Sequence, residues 1–144
     1  MANQSFTLTA EFPAAPQEVF DCIRSIPKWW TTDFEGSTAN VGEEFTIHHP
    51  GAHHSKQKLV EAVPGKKLVW LVTDSTLHWL KNDQHEWTNT KMIFELTGTS
   101  DKTRLHFTHE GLTPDRECYT LCSQGWTMIL TERLLHYITT GKML

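Results

Sequence analysis

Tyr119, Cys122, Trp126, Ile129, Leu130, Leu134, Tyr137 and Ile138 recur at three- and four-residue spacing near the end of the chain. That spacing puts one apolar stripe along one side of a long α-helix. Thr113-Pro114 reads as an N-cap followed by proline at the first helical position, and Asp115 and Glu117 suit the positive end of the helix dipole. Gly141, with Lys142 beside it, stands where a C′ glycine ends a helix. A stripe of this length must be covered by an apolar surface of matching length, and the preceding residues are patterned to build one.

Phe6, Leu8, Ala10 and Phe12 alternate with polar residues, the period of a half-buried strand. Pro16 opens a short helix carrying Val19, Phe20, Cys22 and Ile23. Ile26-Pro27 breaks it, and Lys28-Trp29-Trp30 forms a second helical turn. Strands follow at 44–49, 56–63 and 67–73, joined through the turn signals Pro50-Gly51 and Pro64-Gly65. Leu68-Val69-Trp70-Leu71-Val72 reads as buried on both faces. Residues 74–86 are polar and mixed, a loop or a short edge strand. Residues 87–97 and 103–109 alternate again around the hairpin turn Gly98-Thr99-Ser100-Asp101. Strands in succession followed by one long helix predict an α+β fold, an antiparallel sheet with one face under the helix. The 144 residues suit one domain, 1–144, with no repeats or linkers.

Charge narrows the function. Lys and Arg number 13 against 17 Asp and Glu, a net charge of −4, and no basic stripe stands out, which disfavours nucleic-acid binding. The three cysteines, Cys22, Cys118 and Cys122, form no C-x-x-C pair and point to a reducing cytoplasm. The first residues carry neither the basic nor the apolar region of a signal peptide. No stretch approaches the roughly 18 apolar residues of a membrane span. There is no P-loop, no dinucleotide fingerprint, no G-x-S-x-G and no H-E-x-x-H.

Four segments carry a family resemblance. They are Pro16-x-x-Val19-Phe20 with Pro27-Lys28-Trp29-Trp30; Val63-Pro64-Gly65-Lys66-Lys67-Leu68-Val69-Trp70; residues 102–112; and Gly125-Trp126 with Leu130, Leu134 and Tyr137-Ile138. Together and in this order they resemble the START-like (SRPBCC) superfamily of birch-pollen-allergen-like proteins and polyketide cyclases. Within it, they are most like the family named for activators of the Hsp90 ATPase. The resemblance implies a helix-grip fold: a curved sheet of about six to seven strands wrapped on the C-terminal helix, with two short helices after the first strand. It also implies a cavity between sheet and helix.

The candidate ligand-binding residues are Trp30, Phe45, Ile47, His49, Trp70, Phe94, Phe107, His109, Cys122 and Trp126. Each also suits a solid core. His49 and His109 sit on inward faces, where an imidazole can anchor a carbonyl or exchange a proton. Arg133 stands beside the helical stripe and either reaches an anionic head group or packs its stem with its head in water. Cys122 reads as a small hydrophobe, and Cys118 lies near a helix N-terminus, where a thiolate is stabilised. His48, His49, His53 and His54 have metal-like density, but Pro50-Gly51 interrupts them and no carboxylate or cysteine completes a site. They read as a solvated hairpin tip, with no metal and no cofactor expected. The leading expectation is binding of an apolar lipid, polycyclic or aromatic molecule. The alternatives are a protein-interaction module like the Hsp90 activators and a cyclase- or aromatase-type enzyme working in the same cavity.

Overall fold

The computed structural model describes residues 4–49 and 53–143, without the side chain of His49. The chain runs β1 (Phe6–Phe12), α1 (Pro16–Arg24), a 3-10 turn (Ile26–Lys28), β2 (Phe34–Gly36), β3 (Glu44–His49), β4 (His53–Val63), β5 (Lys67–Leu77), β6 (Lys91–Gly98) and β7 (Thr103–Glu110). A helical stretch ends it: α2 (Tyr119–Met128), a π-helical segment (Ile129–Leu134) and α3 (Leu135–Thr140). The seven strands form one antiparallel sheet in the order β1-β7-β6-β5-β4-β3-β2. This is the helix-grip architecture, an α+β fold with a curved sheet against one long C-terminal helix.

The ladder follows the hydrophobic alternation. Leu105, Phe107 and His109 of β7 are buried, and their neighbours Met92, Phe94 and Leu96 on β6 face the same way. Two register shifts in β4, between Lys56 and Gln57 and between Leu59 and Glu61, let a long strand bend around the helix. Trp29 and Trp30 follow the 3-10 turn, and both are buried. Trp29 donates its indole N–H to the Cys22 and Ile23 carbonyls at 3.0 and 3.2 Å, joining the Ser25 N–H on Cys22 O at the end of α1.

The long helix ends as expected: Gly141 adopts φ 74° and its N–H donates to Tyr137 O at 2.8 Å. Its start differs from the sequence reading. Thr113-Pro114 does not cap it; residues 113–118 are turns, and the helix begins at Tyr119. The Thr113 hydroxyl donates instead to the Asp115 carboxylate. The free amides of Glu117 and Cys118 donate to the Glu86 carboxylate at 3.3 and 3.0 Å, a cap supplied from 31 and 32 residues away. Glu117 returns the favour, accepting from the Lys81 and Asn82 amides at 3.0–3.1 Å.

Strand limits also move, beginning with β4, which starts at His53 and not at residue 56. β5 continues to Leu77, because Asp74 to Leu77 pair with residues 53–56. β6 begins at Lys91, not at residue 87: Asn89 takes φ 71° and its N–H bonds Val72 O, so the chain turns before it straightens. Residues 78–90 thereby form a strap over one end of the sheet, tied to the start of α2 by the exchanged carboxylates.

The buried Thr103 hydroxyl donates to Ala14 O at 2.6 Å, holding the β1–α1 connection to β7. Thr103→Val is nearly isosteric but removes that donor. It is expected to cost about 1–3 kcal/mol, read as a lower urea midpoint at unchanged m-value.

Candidate functional site

A cavity of about 300 Å³ opens between the first half of the long helix and the strap end of the sheet. Leu121, Cys122, Gly125, Trp126, Met128 and Ile129 form its helix side. Trp79 and Trp87 come from the strap, His53 and Leu77 from β4 and β5, and Trp30 from behind the 3-10 turn. Leu121 is 58 % exposed, Met128 42 % and Trp79 36 %, so these three stand at the mouth. The wall is almost wholly apolar, and four of the chain's six tryptophans contribute to it.

The sequence candidates divide. Trp30, Cys122 and Trp126 line the cavity. Phe45, Ile47, Trp70, Phe94 and Phe107 are at most 1 % exposed and form close-packed core beside it. Their rings interlock: Phe45–Trp70 at 5.1 Å, Trp70–Phe94 at 4.8 Å, Phe94–Phe107 at 4.9 Å and Phe107–Trp126 at 4.6 Å. The His49 side chain lies outside the described residues, as does the Pro50-Gly51 turn. Arg133 donates to Trp30 O at 3.2 Å, bracing the cavity's inner wall from the π-helical segment. His48 and His54 face each other across β3 and β4 with rings 5.8 Å apart. Among the described residues no group of three or more ligating side chains is placed to hold a metal.

His109 sits beneath the cavity, fully buried. Trp126 Nε1 is a donor only, so its 3.0 Å contact makes His109 Nδ1 the acceptor. His109 Nε2 therefore carries the proton and donates to Thr90 Oγ1 at 2.8 Å, and that hydroxyl donates to Trp87 O. This relay sets two cavity-lining indoles, Trp126 and Trp87, which stack at 6.1 Å and 11°. Burial, helped by the positive charge of Arg116, holds the imidazole neutral, with its pKa lowered to about 3.

The cavity's thiol has a matching arrangement. Cys118 and Cys122 are one helical turn apart, so that their two thiols interact. That contact, with burial and the nearby Glu86 carboxylate, pushes the Cys118 thiol far up. The same contact draws Cys122 below an ordinary thiol, against the opposing effects of its own burial and of the Glu86 carboxylate. Trp87 Nε1 is buried with no hydrogen-bond partner.

Several lining residues lay outside the sequence candidates. Leu121, Gly125 and Met128 recur at four- and three-residue steps, a second strip beside the main stripe, which itself supplies Ile129. A glycine in mid-helix was its clearest signal. Trp79 lies in a stretch without periodic signal, and Trp87, at the start of the alternating run 87–97, belongs in the structure to the strap before β6.

A curved sheet gripping a long helix, with an aromatic-walled cavity at one end, defines a START-like domain. The chain matches the family described as Activator of Hsp90 ATPase homolog 1-like protein over residues 13–139, and it belongs to that family. No curated protein matches its sequence. Among solved structures it is similar to the Aha1 dimer from Colwellia psychrerythraea, with 21% identity, TM-score 0.75, and coverage of 96% of this chain and 98% of that one. It is also similar to CalU16 from Micromonospora echinospora, with 17% identity, TM-score 0.67, and coverage of 97% and 76%. A third likeness is DynU16, a putative protein in the dynemicin biosynthetic locus, with 17% identity and TM-score 0.66, where 94% of this chain spans 47% of the other. At these identities the likenesses speak for the fold. No helix among the described residues is long and apolar enough to cross a membrane.

The neutral His109 makes folding pH-dependent. The unfolded imidazole protonates near pH 6.5, while the folded one resists to about 3. Its contribution is complete above about pH 6.5 and is lost as pH falls toward 3, at about 1.4 kcal/mol per pH unit. His109→Gln keeps an acceptor and a donor but does not titrate. Urea titrations across this range should show a shallower loss for the variant.

Proposed function

We propose that this protein binds a small apolar molecule, flat and aromatic, in the cavity between α2 and the strap. The observation carrying this reading is Gly125. It lies in mid-helix, where glycine costs about 0.5–1 kcal/mol against alanine. No close approach requires it: a Cβ built there meets nothing within 4 Å. Its missing side chain leaves open space in a wall of indoles. A volume of about 300 Å³ is at the small end of small-molecule sites, which suits a two-ring compound better than a long lipid. Trp30, Cys122 and Trp126 are the proposed ligand contacts from the original candidates, joined by Trp87 and His53.

The family description favours a second reading, a protein-interaction module acting on Hsp90. The exposed Leu121 and Met128 offer an apolar surface for it. Faster ATP hydrolysis by Hsp90 on adding this protein, unaffected by cavity ligands, would favour that reading. A cyclase-type reaction in the cavity is the weaker alternative, because His53 and Cys122 are the titratable side chains among the lining residues. The three free thiols suit a cytoplasmic setting, and one domain over residues 1–144 suits the single sheet.

Dihydrochalcone, a neutral two-ring aromatic, is the proposed probe. It should quench tryptophan emission saturably in the wild type. Gly125→Leu, which fills the open space, should remove the quench with the fold intact. Gly125→Ala should raise stability by about 0.5–1 kcal/mol in thermal unfolding. No quench in the wild type, or an undiminished one in Gly125→Leu, would refute the cavity reading.

A further inference from the structure

We propose that His48 and His54 together chelate one divalent transition-metal ion, of the nickel-to-zinc class, on the face of the β3–β4 hairpin turned away from the cavity. The sheet register brings the two side chains together. His48 of β3 lies directly opposite His54 of β4, with ring centres 5.8 Å apart. Residues opposed in this way share one face of a sheet. Their chain neighbours Ile47 and Ser55 are fully buried, so the two imidazoles stand on the outer face. His53, next along β4, points the other way and lines the cavity. On the sequence these histidines read as a solvated tip, because no helical spacing joins them. The ladder joins them instead, six residues apart.

The separation suits a shared ion. An imidazole nitrogen binds zinc at about 2.0–2.1 Å, so two rings on one ion have centres about 4.5–6.4 Å apart, between a right angle and a straight line at the metal. The observed 5.8 Å lies inside that range. Both side chains are half-buried, and among the described residues their ring nitrogens take part in no hydrogen bond, which leaves a lone pair on each neutral ring for a metal. The backbone beneath them is held on both sides. The His48 amide donates to Asp33 O at 3.0 Å, and His54 pairs with Thr76 of β5. Ligands carried on paired strands are better fixed than ligands on a loop.

The surrounding charges do not oppose a cation. Lys56, next on the outer face of β4, is engaged by the Glu44 carboxylate at 3.5 Å. Asp74, opposite Lys56, and Asp33, beside His48, add negative charge to the same stretch of sheet. Two protein nitrogens leave the remaining coordination positions to water. Imidazole favours nickel, copper and zinc, whereas magnesium prefers oxygen ligands, so the pair selects a class of ion. The site stands on the opposite face from the cavity and does not rest on the ligand reading.

The test is calorimetric titration of tag-free, chelator-treated protein at neutral pH with Ni²⁺, Zn²⁺ and Mg²⁺ in turn. Ni²⁺ and Zn²⁺ should each bind with one equivalent, and Mg²⁺ should not. His48→Thr and His54→Thr keep residues suited to a strand. Each should weaken the one-equivalent step about tenfold or more, because the second imidazole acts at high effective concentration. His106→Thr, at an exposed position on β7 four strands from β3, should leave that step unchanged. Footprinting of the wild type with diethyl pyrocarbonate, read by peptide mapping, needs no variant: Zn²⁺ should shield His48 and His54 and leave His106 reactive. Absence of a one-equivalent step, its persistence in either β3–β4 variant, its loss in His106→Thr, equal binding of Mg²⁺, or unshielded His48 and His54 would each overturn the site.

Discussion

The indole of Trp126 holds the two halves of the molecule in register. Its N–H reaches His109 on the last strand at 3.0 Å, and its ring packs on Phe107 at 4.6 Å and Trp30 at 5.1 Å. A buried polar contact of this sort is directional, whereas the surrounding apolar packing is not. It chooses one rotation of the long helix over the sheet, and with it the residues that turn inward. The relay continues from His109 to Thr90 and the Trp87 carbonyl, so the same contact also places the strap. An imidazole kept neutral by burial is what lets this chain of donors run in one direction.

From that arrangement follows a molecule that is solid at one end and hollow at the other. Under the π-helical segment, Leu130 and Leu134 are fully buried against the sheet. Toward the start of the helix the strap stands off. Its Glu86 carboxylate is tied to the Glu117 and Cys118 amides, and Gly125 offers nothing to fill the gap. Protein interiors are close-packed, and a void forgoes the dispersion contacts its walls would otherwise make. An aromatic-lined void kept open by a mid-helix glycine therefore stands out from the core beside it.

Much of the fold was legible because its signals are local. The alternation of Phe6 to Phe12 and of Leu105 to His109, the breaks at Pro27 and Gly65, and the glycine stop at 141 each depend on a few neighbouring residues. The helix start was misread for the same reason. Thr113-Pro114 is a sound local cap, but Glu86 competes from another segment and its carboxylate is the stronger acceptor. The candidate site was legible in part. Inward-facing aromatics could be listed from alternation, yet Phe45, Ile47, Trp70, Phe94 and Phe107 proved to be core, while Trp30, Cys122 and Trp126 reach the open space.

The sequence by itself determined which residues turn inward, where strands end and where the final helix stops, since side-chain period and turn chemistry are properties of short stretches. Only the tertiary structure decided which inward residues meet each other and which meet a void. That outcome depends on how far the strap stands from the helix, set by contacts such as Glu86 to Cys118 that join residues 32 apart. No period along the chain encodes a distance of that kind.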